Sequence, residues 1–133
     1  MIIDLALPAP PAELSPNKHL DWWVKNPIKR AYQDACYEVV HQAKVQAWNT
    51  GLKFPLAEPV LMAVTFVFPN NIRRDIDNCI SSCKALFDSL VKAGLLNDDS
   101  VQAIGKVEYG WEFEKGKSEV RVKLWDANEW NHS

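Results

Sequence analysis

A chain of 133 residues, 47% hydrophobic and 24% charged, has the size and balance of one soluble globular domain with a single core. No stretch approaches the roughly 18 uninterrupted apolar residues of a membrane span. The opening Met1-Ile2-Ile3-Asp4 lacks the basic and apolar segments of a signal peptide, so a cytoplasmic protein is expected. The net charge of −2 weighs against binding of nucleic acid by overall charge and requires any such binding to come from a local basic patch.

Ile2 to Leu7 reads as a short strand. Pro8, Pro10, Pro11 and Pro16 exclude a regular helix or a central strand from the segment that follows. A loop with Lys18, His19 and the adjacent Trp22 and Trp23 leads to Asn26-Pro27, a helix start with Asn26 as N-cap and Pro27 in the first helical position. Packing over the core edge is the expected role of the two tryptophans, ahead of stacking on unpaired bases. Ile28, Ala31, Tyr32, Ala35, Cys36, Val39, Val40, Ala43 and Ala47 recur at helical spacing, and Gly51 supplies the stop. Lys25, Lys29 and Arg30 give the start of this helix a basic character. Val60 to Phe68, bounded by Pro59 and Pro69, predicts a central strand buried on both faces. Ile76, Cys79, Ile80, Cys83, Phe87, Leu90 and Val91 predict a second helix ending at Gly94. Val107 to Phe113 and Val120 to Leu124 alternate around Gly116 as a terminal hairpin. Cys36, Cys79 and Cys83 are odd in number and contain no CxxC pair. They read as apolar thiols of a reducing compartment, not as a disulfide or zinc framework. The order β-α-β-α-β-β predicts an α/β (α+β) fold, a mixed sheet packed with two helices. Residues 1–133 form one domain in this reading, with 126–133 as a flexible tail.

Chemistry concentrates in Arg73-Arg74-Asp75-Ile76-Asp77-Asn78. Two carboxylates two residues apart can point the same way and repel unless a cation lies between them. Mg²⁺ takes a few carboxylates and keeps positions for water and phosphate oxygens. Arg73 and Arg74 offer phosphate contacts beside it. A third acidic group stands at Asp98-Asp99, beyond the second helix; a straight helix of about 17 residues would hold it roughly 25 Å from Asp75. Asp77, Ser81, Lys84 and Asp88 share one polar stripe, where a lysine could stabilise charge on a reacting phosphate. Each feature has a plainer reading: a helix N-cap for Asp75-x-Asp77, an exposed i,i+4 pair for Lys84 and Asp88, a polar turn for Asp98 to Ser100.

In combination these segments resemble the RusA family of Holliday junction resolvases. The resemblance is carried by Arg73 to Asn78, Lys84-Ala85-Leu86-Phe87-Asp88-Ser89-Leu90, Lys92-Ala93-Gly94-Leu95 and Asp98-Asp99-Ser100. Leu7-Pro8, Pro10-Pro11 and Asn17 are similar to the Pro-rich entry loop. It implies Asp75, Asp77 and Asp99 as metal-binding carboxylates and Lys84 as the catalytic lysine. It implies Mg²⁺, with Mn²⁺ able to substitute, and a homodimer that nicks two opposed strands of a four-way DNA junction. Arg73, Arg74, Lys18, Lys25, Lys29 and Arg30 are the expected DNA contacts. In the best-known family pattern the lysine follows the second aspartate by four residues; here it follows by seven, a displacement of about one turn, or roughly 5 Å. Two other readings are a RusA-like fold that binds DNA or a recombination partner without catalysis, and a hydrolase of small phosphoesters. No P-loop or dinucleotide fingerprint is present, so no nucleotide cofactor is expected.

Overall fold

Ile3, Leu5 and Leu7 are buried while Asp4, Ala6 and Pro8 face solvent, and this period of two makes the first strand, β1 (Ile3–Pro8). The structure, a computed structural model, describes residues 3–16 and 18–130, of Trp130 only the backbone. Ile2, Asn17 and His132 lie outside the described residues. A 3₁₀ turn at Ala12–Leu14 interrupts the Pro-rich segment. The remaining elements are α1 (Trp22–Asn49), β2 (Val60–Phe68), α2 (Ile76–Ser81), α3 (Lys84–Lys92), β3 (Ile104–Phe113), β4 (Glu119–Trp125) and a short α4 (Ala127–Trp130). The expected tail from residue 126 is therefore helical at its start, where the Ala127 N–H donates to the Ala57 carbonyl at 2.9 Å.

The four strands form one mixed sheet in the order β1-β4-β2-β3. β4 runs antiparallel to both β1 and β2, and β2 runs parallel to β3. The α/β character and the central place of β2 agree with the sequence reading, but the terminal hairpin is corrected. β3 and β4 do not pair; β2 lies between them. Alternation identifies a strand without naming its partner. The nine-residue apolar β2 has more to gain from two neighbours, and residues 114–118 cross over its end, tied there by the Glu114 N–H to the Phe68 carbonyl.

One face of the sheet carries the core. Val60, Met62, Val64 and Phe66 of β2, Val120, Val122 and Leu124 of β4, and β1's three apolar residues meet Tyr32, Cys36 and Val40 of α1 and Leu86 and Leu90 of α3. The opposite face of β2 is mostly half-buried, which corrects the expectation of full burial on both sides. Neighbouring β-strands there present charged chains, with Arg121 held by Glu112, Glu114 and Glu119.

Two helix boundaries differ from the sequence reading. α1 begins with Asp21 as N-cap, one turn before Asn26, and Pro27 lies inside it. Proline there removes only one helical hydrogen bond, to the Trp23 carbonyl, on an outer turn whose Trp22 and Trp23 are 62% and 80% exposed. The tryptophans thus do not pack over the core edge; they meet each other edge-on at 4.7 Å. The second helix is two helices. Ser82 turns its hydroxyl back onto the Asn78 carbonyl at 2.7 Å, a bond that competes with regular helix, and the Cys83 N–H reaches the Ile80 carbonyl in a tighter turn. The break leaves α2 at the edge of the core, where only Cys79 and Ile80 pack against it half-buried, while Cys83 and α3 stay inside. The expected stops are observed: Gly51 and Gly94 both have positive φ and close α1 and α3 with paired reverse hydrogen bonds.

Candidate active site

The loop between β2 and α2 positions the first acidic pair. Asp75 has extended backbone geometry and accepts a hydrogen bond from the Asp77 N–H at 3.0 Å, so it caps α2. Both carboxylates are exposed. Arg74 arms this loop from behind. Its guanidinium donates to the carbonyls of Asn70 and Ile72 and to the Asn70 side chain at 2.8–2.9 Å, while stacking 4.2 Å from the Phe68 ring. Asn70 carries no motif in the sequence, and its role as the partner that fixes Arg74 emerges only from the fold. Asp75, Asn78 and Ser82 form one wall of a cleft of about 400 Å³, and Pro10, Pro11 and Ser15 form the facing wall. The Pro-rich segment thus shares this cleft with Asp75, while Asp77 does not line it.

The break after Ser81 positions the second group. Lys84, in the first turn of α3, donates from Nζ to Asp88 at 3.0 Å and to Asp99 at 3.1 Å. The expected i,i+4 pair exists, and it is joined by the loop carboxylate. Asp88 and Asp99 hold the Lys84 ammonium above its usual pKa, and Lys84 in turn lowers that of Asp99. Asp98 fixes the turn by accepting the Asp99 N–H at 2.8 Å. Lys25 and Lys29 of α1 face Lys84 across a smaller cleft of about 170 Å³ lined also by Ser81 and Ser82. Arg30 and Lys18 are exposed but line neither cleft, and Arg73 is exposed beside Asp75.

The structure brings Lys84 to Asp99, and Lys25 and Lys29 to Lys84. It does not bring Asp75, Asp77 and Asp99 into one cluster: among the described residues, no three His, Cys, Asp or Glu side chains gather closely enough to hold a metal ion. The donor chemistry of Asp75 and Asp77 still suits a hard cation, since Mg²⁺ is commonly held by one or two carboxylates with water and substrate oxygens completing its shell. The thiols contribute no ligands of this kind. Cys36 and Cys83 are buried, Cys79 is half-buried, and burial raises the pKa of each, to about 12 for Cys83.

Fold and site together define an α/β domain with acidic and basic side chains gathered at the ends of β2, α2 and α3. Over 61 residues the chain is 38% identical to the crossover junction endodeoxyribonuclease RusA of Aquifex aeolicus (strain VF5). That stretch is 46% of this chain and 44% of the relative, so less than half of the relative's length is matched. No protein-family model matches the chain. No helix among the described residues is long and apolar enough to cross a membrane.

Proposed function

We propose that this protein is a metal-dependent endodeoxyribonuclease that resolves four-way DNA junctions by paired nicks. The observation that carries the reading is the position of Lys84. Although displaced by three residues from the family spacing, it is delivered by the α2–α3 break to the loop carboxylate Asp99, at 3.1 Å. The similarity to a RusA endonuclease over 61 residues supports the same reading.

In this reading Asp75 and Asp77 would hold a Mg²⁺ ion, which Mn²⁺ replaces, while Asp99, paired with Lys84, stands outside that pair. Bound there, the metal would supply Lewis acidity toward a phosphate oxygen and lower the pKa of a coordinated water. Lys84 places a compact positive charge where negative charge grows on the phosphate, with Asp88 and Asp99 keeping it protonated. Lys25 and Lys29 bind the neighbouring backbone phosphate, and Arg73 steers the strand toward Asp75. Two sites related by a two-fold axis in a homodimer cut opposed strands symmetrically. Incubating a mobile four-way junction with the protein, with and without Mg²⁺, and mapping nicks on each strand tests this. Symmetric, Mg²⁺-dependent nicks are expected; intact strands at saturating protein overturn it.

One observation favours a second reading, a junction-binding protein without catalysis. The three aspartates do not gather into one cluster, and Asp99 is already paired with Lys84. High junction affinity that Mg²⁺ leaves unchanged, without nicks, would select it.

A further inference from the structure

The core face of the sheet runs on past the helices that cover it. Trp111 pairs with Phe66 and Phe113 with Phe68, so these β3 side chains share the face of Val64 and Tyr109. An aromatic run results: Tyr109 and Phe66 lie 6.2 Å apart, Phe66 and Phe68 6.2 Å, and Phe68 and Phe113 6.3 Å. It begins in the core, where Phe66 is 3% exposed, and ends in solvent, where Phe113 is 55% and Trp111 59% exposed. Exposed Ile72 and Ile76, from the loop and first turn beside Asp75, stand opposite. With Phe68 and Arg73 these side chains enclose a groove of about 390 Å³.

Large exposed aromatic and aliphatic chains converging on one groove mark a binding surface. The charges lining it are Arg73 and Arg74, with no carboxylate among the lining residues. Such a site matches an occupant with a flat apolar face and an anionic flank. A second copy of this chain meets it poorly, because an apolar protein surface leaves two guanidinium charges uncompensated, and a subunit contact needs about 800 Å² per partner where this is a pocket of nucleotide size. Phe68, Arg74 and Cys79 line both this groove and the Asp75 cleft, so the two are adjacent.

We propose that the groove takes one unstacked nucleobase of the strand whose phosphate enters the Asp75 cleft, stacked on Trp111 and Phe113 with its phosphate on Arg73. The inference rests on the nuclease reading and gives it a means of selection: at a branch point a base leaves its stack more readily than within a duplex, so the groove fills where strands exchange.

The test is equilibrium binding, without divalent cation, of short oligothymidylate against a strand of equal length made of abasic tetrahydrofuran units, which carries the same phosphates. Oligothymidylate is expected to bind on the order of tenfold tighter, the effect of a stacked base. Trp111→Ala and Phe113→Ala should each shrink that preference, and Trp111→Phe should keep it. The wild-type comparison stands even where a variant folds poorly. Equal affinity for the two strands overturns the proposal. So does a preference that survives both alanine variants, or a Trp111→Ala protein that sediments as a smaller species with its preference intact, which would make the groove a subunit contact. A protein that nicks no junction yet prefers bases through Trp111 keeps the groove and loses the nuclease.

Discussion

The Lys84 ammonium lies 3.1 Å from the carboxylate of Asp99, fifteen residues later, and 3.0 Å from Asp88 one turn along its own helix. Two carboxylates therefore orient one lysine whose side chain remains 64% exposed. If that charge serves a reacting phosphate, Lys84→Ala should slow single-turnover cleavage about 10²-fold or more while junction affinity falls only slightly. Lys84→Arg should not restore the rate, because a planar guanidinium places its charge differently from an ammonium. Equal rates for wild type and Lys84→Ala at saturating protein would remove Lys84 from the chemistry.

The same pair sets a pH dependence. Asp99 has a lowered pKa from its hydrogen bond to Lys84, so its stabilising effect is present above the usual carboxylate value and lost as pH falls through the folded value. Lys84 has a raised pKa, so its effect is present below the usual lysine value and lost as pH rises through the folded one. The pair thus acts across roughly pH 4 to 10. Both groups are largely exposed, so Lys84→Ala should change folding stability by less than about 1 kcal/mol at pH 7. Chemical denaturation at pH 3 and pH 7 should show that small difference shrink in acid.

Much of this was legible in the residues, and what was not has physical reasons. The strands, the stripe of α1 and the glycine stops follow from periodicities that burial enforces, as in Ile3, Leu5 and Leu7. The pairing of β4 with β1 and β2 was not legible, because alternation in Val120, Val122 and Leu124 fits any partner. The α2–α3 break hinges on one hydroxyl, that of Ser82, bonding backwards, and helical spacing on either side of it continues almost undisturbed. Lys84 was found by motif; that Asp99 would reach it depended on that break. Trp111 and Phe113 read only as alternating strand residues, since the sequence carries no mark of where the covering helices end.

Gly94 tests how the Asp99 loop is supported. It closes α3 with φ of +84°, and a Cβ there would come within 2.9 Å of Lys44 Nζ, which donates to the Ala93 carbonyl. Lysine can move away at little cost, but the left-handed backbone disfavours any side chain. Gly94→Ala should destabilise the fold by about 1–2 kcal/mol. Thermal melting measures this, and unchanged stability would show that the α3 stop does not need glycine.

Thiol chemistry gives an independent check on the core. Cys83 is fully buried between the helices and the sheet, and desolvation pushes its pKa up to about 12. Cys36 is equally buried. Neither should react with a disulfide reagent at pH 8 in the folded protein, since the thiolate is the attacking species and access is closed. Half-buried Cys79 should react first. Rapid modification of all three thiols without denaturant would contradict the packing of α1 and α3 on the sheet.

Asp75 has two possible occupations, and two substitutions separate them. As the cap of α2 it accepts the Asp77 N–H, a role asparagine fills about as well. As a ligand for a divalent cation it needs its negative charge, which asparagine lacks. Asp75→Asn should therefore fold as well as wild type and bind junction DNA as tightly or tighter, because a repulsion toward phosphate is gone. Its cleavage should nevertheless fall about 10²-fold or more. Asp75→Ala should lose cleavage equally and in addition lose about 1 kcal/mol of stability with the cap. Asp77→Asn should behave as Asp75→Asn does. Cleavage by Asp75→Asn within a few-fold of wild type, in a protein where Asp75→Ala is measurably less stable, would leave Asp75 as a helix cap and nothing more.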